Sequence, residues 1–144
     1  MSTSATPTIR NPAAIDAAPF NKYFELGGRI LLASLFLLSG LTKMSSYGAM
    51  GAYMHSMGVS PALLPLVIAT EVLGSLAVIV GWHTRIAAFL LAGFTLLAGG
   101  IFHNNFGDQI QMIMFLKDVS IAGAFLILVG NGAGPLSLDR HRAH

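Results

Sequence analysis

Three ionisable residues, Glu71, Lys117 and Asp118, stand inside stretches that are otherwise apolar. A charge at the bilayer centre opposes insertion by about 2.5–3.5 kcal/mol, while each Leu, Ile, Phe or Val returns about 0.3–0.6. Groups retained at that cost mark a functional site, or a buried pair that fixes helix register. A carboxylate facing an ammonium in a low dielectric can hold a polar head group or pass a proton. Glu71 and Lys117 are the candidate catalytic groups, read as a proton relay joined in a buried ion pair. Lys43, His103, Asp118 and Gln111 are the candidate ligand-binding residues, with Asn104 on the same outer rim. Other chemistries are excluded. With no cysteine, thiolate metal sites, iron–sulfur clusters and thiol–disulfide exchange are absent from this chain. His55 and His103 fall in no metal-ligand motif, and no metal site is expected. The eight Lys and Arg are spread too thinly for a nucleic-acid surface.

The elements that must position these residues are membrane helices. Hydrophobic residues make up 54% of the 144 and charged residues 10%, too few to clothe a soluble domain. Four continuous apolar runs, at about 26–43, 62–81, 86–103 and 110–129, each approach the roughly 20 helical residues that cross the hydrocarbon layer. Backbone groups in lipid must be satisfied within the segment, so the expected fold is an all-α, integral membrane four-helix bundle. The expected division is a cytoplasmic tail over 1–21, a transmembrane domain over 22–131 and a second cytoplasmic tail over 132–144. Arg10, Lys22, Arg29, Arg85, Arg140 and Arg142 collect on one side, against Lys43 alone on the other, which predicts both termini inside. Tyr47, Met50, Tyr53, Met54 and Met57 form an apolar stripe between the first two spans, read as a short interfacial helix ended by Gly58 and Pro61.

Spacing assigns faces. Residues three and four apart share one side of a helix. Glu71 is followed by Gly74 and Ser75, Lys43 is preceded by Ser39 and Gly40, and His103 by Gly99 and Gly100. Lys117 is followed by Ser120 and Ala124. Small residues mark where membrane helices approach closely, so all four polar residues are expected to point into the bundle. Glu71 lies about 13 Å and Lys117 about 10 Å below the outer ends of their helices at 1.5 Å per residue, within reach if those helices are neighbours.

In order and spacing the chain resembles the DoxX family of small bacterial inner-membrane proteins from about Leu26 to Asp139. The matching pieces are Phe36-Leu-Leu-Ser-Gly-Leu-Thr-Lys43, Glu71-Val-Leu-Gly-Ser75, Gly81 to Ala88 with Thr84-Arg85, Phe102-His103, Phe115-Leu-Lys117 and Gly134-Pro-Leu-Ser-Leu-Asp139. Ser75 and Asp118 depart from the family pattern, the latter adding a negative charge beside Lys117. The resemblance implies a multi-pass inner-membrane location. Some members look like subunits of quinone-reducing enzymes, including thiosulfate:quinone oxidoreductase. The expected function is therefore a quinone-binding membrane subunit of a redox complex, with quinone as its non-covalent cofactor and no covalent one. The chain has no redox-cofactor motif, so electrons would come from a soluble or membrane-bound redox partner. The alternative is a non-enzymatic assembly or interaction protein whose buried charges are structural, and the small-residue faces leave a homo-oligomer open. A proton channel is the third reading.

Overall fold

The computed structural model describes residues 18–142. They form α1 (Ala18–Ser45), α2 (Tyr47–Ser56), a 3₁₀ turn (Pro61–Leu63), α3 (Leu64–Val80), α4 (Thr84–Phe102), α5 (Gln109–Asn131) and the short α6 (Leu138–Arg142). No strand occurs among the described residues. The four long helices, α1, α3, α4 and α5, are each long and apolar enough to cross a membrane. Most of the expected tail over 1–21, including Arg10, lies outside the described residues. Its last part does not, because α1 begins at Ala18, eight residues before the apolar run. Pro19 sits in the first helical turn, where its missing N–H costs no hydrogen bond. At 28 residues α1 is about 42 Å long, so it emerges well beyond a 30 Å hydrocarbon layer.

Local signals set the ends of the other spans. The Ser60 hydroxyl accepts from the Ala62 amide ahead of α3, and Gly81, at φ 74°, ends that helix in the left-handed region. Asp108 caps α5, accepting from the amides of Ile110 (2.7 Å) and Gln111 (3.2 Å). The cap of α4 comes from 55 residues away. Asp139 accepts from the amides of His83 (2.7 Å) and Thr84 (2.9 Å).

The helices pack α1 on α3, α3 on α4 and α4 on α5, and the ring closes where Phe36 of α1 meets Phe125 of α5 edge to face at 5.3 Å. The buried core is rich in small side chains, Ala33, Ala87, Ala88, Ala92 and Ala122, around Val78, Leu91 and Phe125. Large apolar residues such as Leu31, Leu66, Leu73, Phe89, Leu97 and Ile127 are exposed on the outside. That inversion suits lipid as the solvent, since association of helices there rests on close packing of small residues. The chain is a multi-pass membrane protein.

The bundle has two unlike ends. The terminal end carries the start of α1, the α3–α4 turn and the C-terminal segment. The distal end carries α2 and the α4–α5 loop. The expected tail over 132–144 is docked at the terminal end up to α6. Arg29, 3% exposed, donates through Nη2 to the Leu136 carbonyl, and the Asp139 amide donates to the Gly81 carbonyl at 2.8 Å.

Candidate functional site

The distal half of the bundle holds two pairs of a basic and an acidic side chain, one on each couple of helices. On α1 and α3, Lys43 Nζ donates to Glu71 Oε1 at 2.9 Å and to Ser39 Oγ at 2.6 Å, and Ser39 Oγ donates to the same Glu71 oxygen at 3.1 Å. The Glu71 side chain is 5% exposed and that of Lys43 17%. Gly40 makes this geometry available. A Cβ there would meet Val72 Cγ2 at 2.7 Å and Glu71 Cβ at 3.3 Å, so only glycine lets α1 lie this close to α3. Glu71 Oε2, also buried, has no hydrogen-bond partner. An unpaired carboxylate oxygen in a low dielectric is costly, and such an atom marks a place where a donor or a proton can be received.

On α4 and α5, His103 Nδ1 lies 2.7 Å from Asp118 Oδ2. Gly99 has the role there that Gly40 has on α1. A Cβ at Gly99 would meet Asp118 Oδ2 at 2.9 Å and Asp118 Cβ at 3.1 Å. This second pair is more open, with side-chain exposures of 30% for His103 and 16% for Asp118. His103 terminates α4, so the pair stands at the distal mouth of the bundle. Gln111 lies seven residues before Asp118 on the same side of α5, and its buried Oε1 also lacks a partner. Asn104, expected on this rim, is exposed in the α4–α5 loop.

The expected Glu71–Lys117 ion pair does not form. Glu71 is held by Lys43, and Lys117 is exposed, its Nζ directed at Met114 Sδ of its own helix at 3.2 Å. Two physical reasons account for this. α3 packs between α1 and α4, whereas α5 packs on α4, so Glu71 and Lys117 belong to helices that are not packing neighbours. The inward face of α5 also runs through the half-buried Asp118 and the buried Ala122 and Phe125, at spacings of four and three, and Lys117 stands about 100° away from it. Ser120, expected beside Lys117 in the interior, is exposed with it. Lys117 therefore extends its ammonium toward the distal interface along an apolar surface. Ser39, which the sequence places only on the Lys43 face, is the third member of the pair, and its position four residues before Lys43 is the local signal for it.

An open apolar groove of about 490 Å³ is lined by Met44 and Tyr47, then Pro65, Ile68, Ala69, Val72 and Leu73 of α3, and none of Lys43, Ser39 and Glu71 is among its walls. Val72, its inner wall, is the side chain that touches Gly40. No group of three or more His, Cys, Asp or Glu able to hold a metal occurs among the described residues. Thr95, a polar residue inside α4, is buried and donates to the Leu91 carbonyl of its own helix at 2.7 Å, so it extends neither pair.

An all-helical bundle with four membrane spans and paired basic and acidic side chains in one half defines a class of small multi-pass membrane proteins. Within that class the chain belongs to the DoxX family, whose profile matches residues 24–104. It is 44% identical over 115 residues to inner membrane protein YqjF of Escherichia coli (strain K12), covering 80% of this chain and 88% of that protein. It is 36% identical over 135 residues to inner membrane protein YphA of the same organism, covering 83% and 96% respectively. No solved structure matches the chain. The family and these relatives place the chain in the bacterial inner membrane.

Proposed function

We propose that the distal half of the bundle binds the head group of a membrane-soluble quinone, and that the protein serves as the quinone-binding subunit of a redox complex. The observation that supports this reading is Glu71, which is buried within the span with one oxygen held by Lys43 and Ser39 and the other unpartnered. A quinol hydroxyl can donate to that free oxygen, and Lys43 can donate to a quinone carbonyl once it turns from Glu71. The open apolar groove lined by Met44, Tyr47 and Val72 offers a surface for the isoprenoid chain, and the head group must pass Val72 to reach Glu71, which does not line the groove. Reduction of a quinone to a quinol takes two electrons and two protons. A redox partner protein supplies the electrons, Glu71 handles a proton at the buried carbonyl, and the His103–Asp118 pair passes protons from the distal surface. Lys117, directed outward, has no part in this site.

Extraction in mild detergent followed by mass spectrometry of the bound small molecules tests the reading. About one quinone per wild-type chain is expected, with loss from folded Glu71→Gln and Lys43→Met variants. No quinone in wild type, with variants that are only less stable, transfers the assignment to an assembly protein with structural charges. That second reading draws on Gly40 and Gly99, whose close approaches already give each pair a packing role.

A further inference from the structure

The terminal end carries a second site that the quinone reading does not use. A cavity of about 470 Å³ opens between the start of α4, the end of α5 and α6, with His83, Arg85, Gly132, Ser137, Asp139 and Arg140 among its walls. Neither the Arg85 nor the Arg140 guanidinium has a hydrogen-bond or ion-pair partner among the described residues. The acid in the same wall is already engaged, because Asp139 spends both carboxylate oxygens on the His83 and Thr84 amides. Among the lining side chains, Arg85 and Arg140 stand against Asp139 alone, and behind the wall Arg29 and Glu25, whose carboxylate lies against Gly134, carry one charge of each sign. Trp82, exposed in the turn that bears His83, places the cavity at headgroup depth, since tryptophan collects at membrane–water interfaces.

We propose that this cavity binds a phosphate group, supplied by an anionic phospholipid headgroup, between Arg85 and Arg140. Arginine forks match phosphate oxygens in pairs, and basic pockets between spans at the cytoplasmic surface select anionic lipids. The lipid source follows from the cavity's position beside Ile86 and Trp82, where an acyl chain can run down the exposed face of α4.

The test uses the full chain in nanodiscs of phosphatidylcholine with or without phosphatidylglycerol, read by native mass spectrometry of retained lipid. Phosphatidylglycerol should remain on wild type and on Lys22→Gln, which removes a charge from the same end outside the cavity. Retention should fall about tenfold or more in Arg85→Gln/Arg140→Gln, and recover in part when both are lysine. Arg140→Gln alone, on the exposed α6, leaves the bundle intact and carries the comparison if the double variant does not fold. Thermal protection by inorganic phosphate in phosphatidylcholine discs, lost in the same variants, would keep the phosphate site and change its source. Equal phosphatidylglycerol retention by wild type and the glutamine variants, with no protection by phosphate, would overturn the proposal.

Discussion

The two acid–base pairs of the distal half are built alike and finished differently. Each sets a basic side chain against a carboxylate on a neighbouring helix, and each has a glycine that lets the two backbones close, Gly40 in one and Gly99 in the other. The Lys43–Glu71 pair is sealed, has Ser39 as a third member and leaves Glu71 Oε2 without a partner. The His103–Asp118 pair reaches the mouth of the bundle, where water can serve whatever the protein leaves unsatisfied. Burial therefore separates two pairs that residue type alone would merge. The sealed pair leaves one buried carboxylate oxygen without a partner, whereas the open pair stands where solvent reaches it.

The largest effect should come from removing one member of the sealed pair. Lys43→Met leaves Glu71 buried and uncompensated, and an uncompensated buried charge costs about 3–5 kcal/mol. Unfolding in mixed detergent should register that loss, and adding Glu71→Gln should restore much of it. The double-mutant cycle then gives strong coupling between residues 43 and 71. The same cycle between Glu71→Gln and Lys117→Met should be additive within about 0.5 kcal/mol, since the two share no partner. Coupling there would undo the assignment of Glu71 to Lys43.

Next come the glycines. Gly40→Ala brings a methyl to 2.7 Å from Val72 Cγ2, and overpacking of that kind costs about 1–3 kcal/mol. Gly99→Ala presses on Asp118 itself, at 2.9 Å from Oδ2, so it should also loosen the contact with His103. Histidine chemical shifts read that second effect directly. If Gly99→Ala leaves the His103 shift unmoved while lowering stability, the glycine serves packing alone.

Apolar run length located all four spans, and the small-residue rule placed Lys43, Glu71 and His103 on interior faces. What periodicity does not carry is neighbourhood. It states which way Glu71 points and is silent on whether α1 or α5 lies opposite, so Lys43 and Lys117 were equally available to it. On α5 even the face was ambiguous, because apolar residues surround the helix and Ser120 and Ala124 offered as good a small stripe as Ala122. Adjacent residues 117 and 118 differ by about 100° in direction, enough to send one into the bundle and the other to lipid. Asp139 was hidden for a different reason. Its partners lie at His83 and Thr84, and a cap supplied across 55 residues has no local signature.

Asp139 provides a carboxylate outside the spans against which the two pairs can be judged. Burial acts to raise its pKa, but hydrogen bonds from Thr84 and the His83 amide prevail and hold it below the ordinary 3.8. A depressed folded pKa means that this stabilisation is present above the unfolded value and is lost as pH falls through the folded one. Stability should thus decline below about pH 4 in wild type, with a smaller decline in Asp139→Asn. The variant should cost about 1 kcal/mol at neutral pH, as for loss of a helix cap. An unchanged acid profile in Asp139→Asn would remove the cap from the account of the terminal end.

The smallest change is expected at the open pair, and it decides most about the comparison. Asp118→Asn keeps the size of the side chain and one acceptor oxygen for His103, and partly exposed ion pairs contribute about 0–1 kcal/mol. Stability should barely move. If the pair passes protons, however, quinone turnover in the assembled complex should slow while quinone retention stays at the wild-type level. Glu71→Gln should do the reverse, losing the bound quinone itself. The two carboxylates then separate by readout, one governing occupancy and the other rate. Should Asp118→Asn destabilise the protein as much as Lys43→Met, the open pair is structural, and the difference in burial between the two pairs does not divide their roles.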